Sequence, residues 1–115
     1  MPTLRSKRDF ARIQASGRSR SERLMVVRFV PNTLGFDRYA ISTSRRVGGA
    51  VTRNRIRRRI REVLRASTQA GPGWDMLIIV RPASAQATFD ETRASLRRLL
   101  ALMRESGQPE ASATA

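Results

Sequence analysis

Three segments of the chain place apolar residues at the spacing of an amphipathic helix. The clearest is the central one, where Ile56, Ile60, Val63 and Leu64 follow the pattern i, i+4, i+7, i+8. Each of the other two begins after a capping residue, and the last has a capping box from Thr88 to Glu91. We predict helices over residues 7–16, 50–66 and 89–105.

Three further segments have the composition of strands. Two β-favouring runs, residues 23–30 and 38–43, flank the turn-forming residues Pro31-Asn32 and Gly35. We predict that they pair as an antiparallel hairpin with a loop of several residues. Residues 76–80 form a continuous apolar run, which is typical of a strand covered on both faces, so we place it in the centre of the sheet.

The length of 115 residues fits one compact domain, to which we assign residues 1–105. Residues 106–115 contain Gly, Pro and small side chains without an apolar period. Such a segment buries too little surface to offset the entropy of ordering it. We therefore expect the tail to be disordered.

The charge balance indicates the kind of partner. Lys and Arg together number 23 against 9 Asp and Glu, a net charge of +14, and every cation except Lys7 is arginine. A guanidinium binds phosphate through two N–H groups and stacks on bases, so the excess of arginine favours a nucleic acid over a membrane surface. A GC-rich genome would give the same preference for arginine without functional meaning.

The absence of two residue types limits the chemistry. The chain has no histidine and no cysteine, so it lacks the commonest general base, the thiolate nucleophile and the ligands of most zinc sites. We expect no catalytic residue in the protein. The first apolar run, residues 24–30, is short and interrupted by Arg28, unlike a signal peptide, so we expect the cytoplasm.

The central helix carries the strongest concentration of charge. Nine arginines and a single acid, Glu62, lie between residues 45 and 65. On a helical wheel one exposed face, opposite the apolar stripe, holds Asn54, Arg58, Arg61 and Arg65, with Arg57 at its edge. A helix face that only maintains solubility mixes charges, whereas like charges at i, i+3 and i+4 repel unless an anion lies between them. We interpret this face as a binding surface for a polyanion.

Arg53 is the exception to this division of faces. It falls at the azimuth of the apolar stripe, where a lone buried guanidinium is costly, so it must turn outward or find a partner. The helix begins after Gly48-Gly49, and its free N–H groups could bind a phosphate or, together with Asn54, help hold a hydrated metal ion.

Residues 48–62, GGAVTRNRIRRRIRE, resemble the signature of the bacterial ribonuclease P protein family. The specific features are the Arg-Asn-Arg core, the basic pair one residue later and the Arg-Glu after the next apolar position. The resemblance extends over residues 4–104 and includes Asp9-Phe10 with Gly17 and the three residues Ser44-Arg45-Arg46.

The resemblance implies an α+β fold, an α/β sandwich with a mostly antiparallel sheet packed with three helices and a left-handed βαβ crossover. Sequence rules alone predict a right-handed crossover. The resemblance also implies that the chain is a subunit of the endoribonuclease ribonuclease P, which removes the 5′ leader of precursor tRNA. Catalysis is then expected in the RNA subunit, with Mg²⁺ bound mainly by that RNA. The implied partners are ribonuclease P RNA and precursor tRNA, and neither a membrane nor DNA.

The family's functional residues transfer to this chain position by position. The resemblance implies that the RNA subunit contacts Arg45, Arg46, Arg53, Asn54, Arg55 and Arg58. It implies that a cleft between the first helix, the sheet and the central helix binds the single-stranded leader through Phe10, Arg57 and Arg61. No metal site is firm, and Asn54 is the one candidate ligand.

Two departures from the family concern the leader cleft. The family often has an aromatic residue one turn after Phe10, where this chain has Gln14, and another near the position of Arg28. The stacking surface is therefore reduced here. Phe10 fits either a base-stacking role or a place in the core.

Two other functions compete with this interpretation. A protein-only nuclease would need metal-binding carboxylates, for which the candidates are Asp9, Asp37, Asp75, Asp90 and Glu91. Three of these have a capping or first-turn explanation, and no close set marks a two-metal site. A ribosomal or chaperone-like RNA-binding protein would have the same composition, and only the Arg-Asn-Arg motif argues against it.

Overall fold

A computed structural model describes residues 1–67 and 73–107 of the chain. It confirms all three predicted helices with the predicted bounds. The helices are α1 (Lys7–Ser16), α2 (Ala50–Ala66) and α3 (Phe89–Glu105), and the strands are β1 (Arg18–Ser21), β2 (Met25–Asn32), β3 (Arg38–Ser42) and β4 (Gly73–Val80). A short 3₁₀ helix, Pro82–Gln86, precedes α3. The capping box is present, because Thr88 and Glu91 exchange hydrogen bonds of 2.8 and 3.1 Å.

The four strands form one sheet in the order β1-β2-β4-β3. The predicted hairpin is wrong, because β2 and β3 do not pair; each pairs with β4, β2 antiparallel and β3 parallel. All residues of β4 except Ile79 are buried, as expected of a central strand whose two faces are both covered. The parallel pair joined by α2 is the βαβ crossover that the resemblance implies, and its left hand stays a prediction.

The strand β1 has no counterpart in the sequence analysis. Its sequence, RSRS, has no apolar residue, and it forms a strand because it pairs with β2 in the register Arg18↔Phe29. The Arg18 guanidinium lies 5.5 Å from the centre of the Phe29 ring, a cation–π contact that fits this register.

Helices cover the two faces of the sheet unequally. On one face α2 and α3 enclose the main core with side chains such as Phe29, Ile60, Ile78 and Leu99, all less than 1% exposed. On the other face α1 packs a smaller cluster built from Leu4, Ile13, Val30 and Leu77. The molecule is thus the predicted α/β sandwich, with one helix on one side and two on the other.

A buried carboxylate anchors α1 to the sheet. Asp75 of β4 is fully buried and accepts two hydrogen bonds from Arg38 (2.9 and 2.7 Å), one from Asn32 (2.8 Å) and one from Arg12 of α1. Arg38 also approaches Asp9 of α1 at 3.3 Å. The hydrogen bonds with Asp75 hold the pKa of Arg38 above its ordinary value. Asp9 and Arg12, which precede and follow Phe10 in α1, therefore both belong to the ion-pair network of Asp75 and Arg38.

The ion pair between Glu22 and Arg98 predicts a pH-dependent contribution to stability. Hydrogen bonds from Arg98 (2.8 Å) and from Ser95 (2.7 Å) lower the pKa of Glu22 below its ordinary 4.5. A lowered folded-state pKa gives stability that is present above the unfolded pKa and lost as the pH falls through the folded one. Glu22→Gln should therefore cost up to about 1 kcal/mol in urea unfolding at pH 7 and nothing at acid pH. A cost that is independent of pH would contradict this assignment.

Most of the predicted disordered tail lies outside the described residues. The two described positions, Ser106 and Gly107, follow α3 and contact β1, where the Arg18 guanidinium donates to the Gly107 carbonyl at 2.8 Å. Within the described ranges, no helix is both long and apolar enough to cross a membrane.

Candidate RNA-binding surface

The outer face of α2 is the predicted row of polar and cationic side chains. Asn54, Arg58, Arg61 and Arg65 are all exposed, while Ile56, Ile60, Val63 and Leu64 are buried in the main core. Among the described residues, the only ion pair on this face is a 3.4 Å contact between Arg65 and Glu62, whose side chains are 76% and 58% exposed. An ion pair this exposed neutralises little of the charge. The row is therefore open to an anionic ligand along about three turns of helix.

Two other arginines of α2 serve the fold. The Arg55 guanidinium donates to the Ala85 carbonyl at 3.1 Å, and Arg59 donates to the Ala87 carbonyl at 3.0 Å. Both side chains are half-buried, and together they hold the 3₁₀ segment against α2. Arg55, a predicted RNA contact, therefore has one N–H group committed to the protein and others left for a ligand.

Arg53 falls at the azimuth of the apolar stripe, and its side chain neither turns fully outward nor finds a partner in the described part of the fold. The side chain is half-buried, and its Nε is buried without a hydrogen-bond partner among the described residues. A buried unsatisfied N–H costs about 1–3 kcal/mol, so this arrangement of Arg53 does not stabilise the fold. Arg55 has a buried Nε of the same kind, but the Arg53 guanidinium makes no hydrogen bond at all among the described residues, so its terminal N–H groups are left for an anion.

The metal role of Asn54 stays a prediction, because the described residues around it add no further candidate ligand. Its Oδ1, the atom that would ligate a cation, accepts a hydrogen bond from Arg57 at 3.1 Å. The residues beside it in sequence are arginines, which repel a cation, and the part of the chain that the structure describes contains no group of three or more acidic side chains able to hold an ion. The residues here suit an anion, with Asn54 orienting Arg57.

Arg45 and Arg46 lie in the turn that leads from β3 into α2. Both are exposed, and hydrogen bonds from Val47 to Ser44 (3.1 Å) and from Gly48 to Arg45 (3.2 Å) close the turn. The buried Val47 side chain fixes it to the main core. The turn therefore adds two exposed cations to the chain just before α2 begins.

The predicted leader residues do not form one cluster. Phe10 is half-buried against the small cluster on the α1 side, against which Ala40 and Ile79 also pack. Arg61 instead lines a pocket with Tyr39 and Met1, which belong to the core on the opposite side of the sheet. Phe10 thus packs on the α1 side of the sheet and Arg61 on the α2 side.

The open part of the sheet beside α1 is aliphatic with one cation. Val26 and Ile79 are half-buried there, because α1 covers only their neighbours Val30 and Leu77. Arg28 projects from the same face and donates to the Gln14 carbonyl and to the Ser19 hydroxyl, both at 2.9 Å. The two departures from the family, Gln14 and Arg28, are therefore in direct contact.

The five carboxylates of the nuclease hypothesis all have structural partners. Asp9 and Asp75 pair with Arg38, Asp37 accepts from Arg104 (2.8 Å) and from the Trp74 amide (2.9 Å), and Asp90 pairs with Arg93. The amide of Thr88 donates to Glu91 in the capping box and lowers the pKa of that carboxyl. Each therefore has a partner within the fold, and the described residues contain no group of three or more such side chains that could hold a metal ion.

These features define a small α+β protein that presents one arginine-rich helix face to a polyanion and uses its acidic residues for structure. Residues 2–104 match the family model for ribonuclease P. Similar proteins include the ribonuclease P protein component of Roseiflexus castenholzii, 39% identical over 99 residues that cover 84% of this chain and 81% of the relative. That of Clostridioides difficile is 34% identical over 84% and 87% of the two chains.

Solved structures agree with the sequence matches. The Staphylococcus aureus RNase P protein has a TM-score of 0.82 and 30% identity, covering 90% of this chain and 95% of that one. The Thermotoga maritima RNase P protein, solved with 1-(4-fluorophenyl)-2-thiourea, has a TM-score of 0.77 and 32% identity, covering 84% and 95%. The chain belongs to the ribonuclease P protein family.

Membership defines the role at a general level. The chain is the protein component of an endoribonuclease that processes the 5′ leader of tRNA, and this role implies the ribonuclease P RNA and a tRNA substrate as partners. Ribonuclease P is a metal-dependent nuclease complex.

Proposed function

We propose that the outer face of α2, together with the first turns of that helix and the turn before it, binds the ribonuclease P RNA; this cationic surface is called the arginine face below. The proposed contacts are Arg45, Arg46, Arg53, Asn54, Arg55 and Arg58. The observation that carries this proposal is the row of exposed cations on α2, whose single acidic neighbour is itself exposed. Phosphate contacts of this kind position two RNAs and screen their mutual repulsion.

We propose that the leader of precursor tRNA lies on the open part of the sheet beside α1. Phe10, Val26 and Ile79 offer apolar surface there, and Arg28 adds a cation whose plane is held by two hydrogen bonds. An aromatic ring and a guanidinium suit a single strand of any sequence, because every base has a face to stack on. Arg57 and Arg61 lie on α2 and not on this face, so we propose that they contact leader phosphates where the strand continues beyond the open part of the sheet.

The catalytic metal ions, Mg²⁺ in this proposal, are held mainly by the RNA subunit. Mg²⁺ supplies an activated water and stabilises charge on the reacting phosphate. The protein contributes by neutralising phosphate charge and holding the substrate, so RNA binding should weaken steeply with salt. We place this activity in the cytoplasm with its tRNA substrates.

Cleavage of precursor tRNA tests the proposal with three samples: the protein, ribonuclease P RNA at low Mg²⁺, and both together. We expect cleavage by the RNA to rise when the protein is added and none by the protein alone. A protein that does not stimulate the RNA would refute the proposal. Cleavage by the protein alone would favour the nuclease alternative. The protein-only sample is included because one solved relative is a Staphylococcus aureus RNase P protein mutant with defective mRNA degradation activity.

The leader assignment of Arg57 and Arg61 predicts a difference between two substrates. Arg57→Ala and Arg61→Ala should each weaken holoenzyme binding of precursor tRNA about tenfold and leave mature tRNA within twofold, because only the precursor has a leader. Equal losses on both tRNAs would instead assign these residues to the RNA-subunit contacts.

A further inference from the structure

A pocket of about 150 Å³ lies where α2 crosses the edge strand β3. The five residues that line it are Met1, Tyr39, Arg61, Leu64 and Arg65. Backbone hydrogen bonds fix its wall, because the Leu4 amide donates to the Tyr39 carbonyl at 2.7 Å and the Tyr39 amide donates to the Pro2 carbonyl at 3.1 Å. The pocket is therefore a formed feature of the fold.

The donors of this pocket have few partners among the described residues. Tyr39 packs its ring in the main core and is 8% exposed, and its hydroxyl has no hydrogen-bond partner in the described part of the chain. Arg61 is exposed, and Arg65 makes only the solvent-exposed contact with Glu62. None of the five lining residues is a carboxylate, so two cations and one neutral donor border an apolar floor.

We propose that this pocket binds one backbone phosphate of RNA, with Arg61 and Arg65 as charged donors and the Tyr39 hydroxyl as a neutral donor. An ionised phosphate oxygen accepts strong hydrogen bonds from both kinds of group. Arg61 and Arg65 lie four residues apart, on adjacent turns of α2, so both can donate hydrogen bonds to the same phosphate. The pocket extends the arginine face around the helix to the β3 edge.

This proposal rests on the proposed function, since it takes RNA as the ligand. The phosphate could belong to the ribonuclease P RNA or to the leader of precursor tRNA, and both sources present the same chemistry. Binding to ribonuclease P RNA alone reports the first source. Binding of precursor relative to mature tRNA by the holoenzyme reports the second.

Tyr39→Phe and Arg65→Gln test the pocket without changing the Arg-Asn-Arg core. Tyr39→Phe should weaken RNA binding about tenfold at an unchanged salt slope, because it removes an uncharged donor and retains the ring. Arg65→Gln should weaken binding by a similar factor and reduce the slope of log K against log salt by about 0.7–0.9, the value of one phosphate contact. A loss of packing would not change the salt slope in this way.

Arg23→Gln is the matched control, because it removes one exposed charge from the turn before β2, which lies beside α3. The proposal is overturned if both pocket variants bind ribonuclease P RNA, precursor and mature tRNA within twofold of this control at its salt slope. Arg58→Gln separates the two levels of inference. If Arg58→Gln weakens binding and the pocket variants do not, only the pocket assignment fails, whereas no effect from any variant refutes the proposed function of α2.

Discussion

Replacing Asp75 with alanine is expected to lower the free energy of unfolding by about 3 kcal/mol, the largest stability effect of any single exchange that we predict. Asp75 is fully buried and receives hydrogen bonds from Asn32, Arg12 and Arg38, so the change leaves two guanidinium groups without their anion. Breaking a buried pair costs about 3–5 kcal/mol. We take the lower value because the Arg12 and Arg38 side chains are 36% and 22% exposed and recover some water.

Urea unfolding with a two-state fit measures this loss, and thermal unfolding should show a drop of roughly 10–20 °C. The control is Asp90→Ala, whose carboxylate is 83% exposed in its pair with Arg93 and should cost less than about 1 kcal/mol. If Asp75→Ala also combines additively with Arg12→Ala, the two residues do not interact and the anchor of α1 lies elsewhere.

Local patterns in the sequence were enough to predict the helices, and long-range pairing explains the main error in the sheet. Each helix carries its own stripe and cap, and those signals lie within a few residues of one another. The hairpin failed because β4, which follows α2 in the chain, enters between β2 and β3. Nothing within residues 23–43 could indicate that a later, more apolar strand would take the central position.

The strand β1 was missed for a related reason. Its RSRS sequence has no β-favouring pattern, and partners distant in the chain hold it in place. Arg18 contacts Phe29 and the Gly107 carbonyl, and Arg20 donates to the Ser106 hydroxyl at 2.9 Å. A residue-by-residue propensity describes the isolated segment and omits such neighbours.

The candidate site was predictable where it depends on helix geometry. The wheel placed Asn54, Arg58, Arg61 and Arg65 on the exposed face, and the structure agrees. The wheel could not show that Arg55 and Arg59 bond to carbonyls about thirty residues later, at Ala85 and Ala87, because those partners come from another element. The pocket at Tyr39 was missed for the same reason.

The division of labour among the arginines has a physical basis. Guanidinium groups with partners in the fold, such as those of Arg38 and Arg12, meet a buried carboxylate and add rigidity. Those on the outer face of α2 have few partners and repel one another, a cost that RNA binding would remove. The same side chain thus stabilises the sheet in one place and supports ligand binding in another.

Replacing Arg53 and Arg58 together with glutamine is expected to weaken binding of ribonuclease P RNA about 100-fold, the largest functional effect that we predict. Arg58 is exposed on the outer face, and Arg53 has a buried Nε without a partner in the described residues. Each contact with phosphate is charge-assisted and contributes roughly a factor of ten. The slope of log K against log salt should fall by about 1.4–1.8, the value of two phosphate contacts. Glutamine retains helix propensity, and losing the unpartnered Arg53 should leave the free energy of unfolding unchanged or higher.

The control is the double exchange Arg23→Gln with Arg97→Gln, which removes the same charge from exposed positions outside α2. Its affinity for ribonuclease P RNA should stay within about threefold of that of the unaltered protein. Equal affinities for the two double variants, measured across a salt series, would show that the RNA binds elsewhere and not on α2.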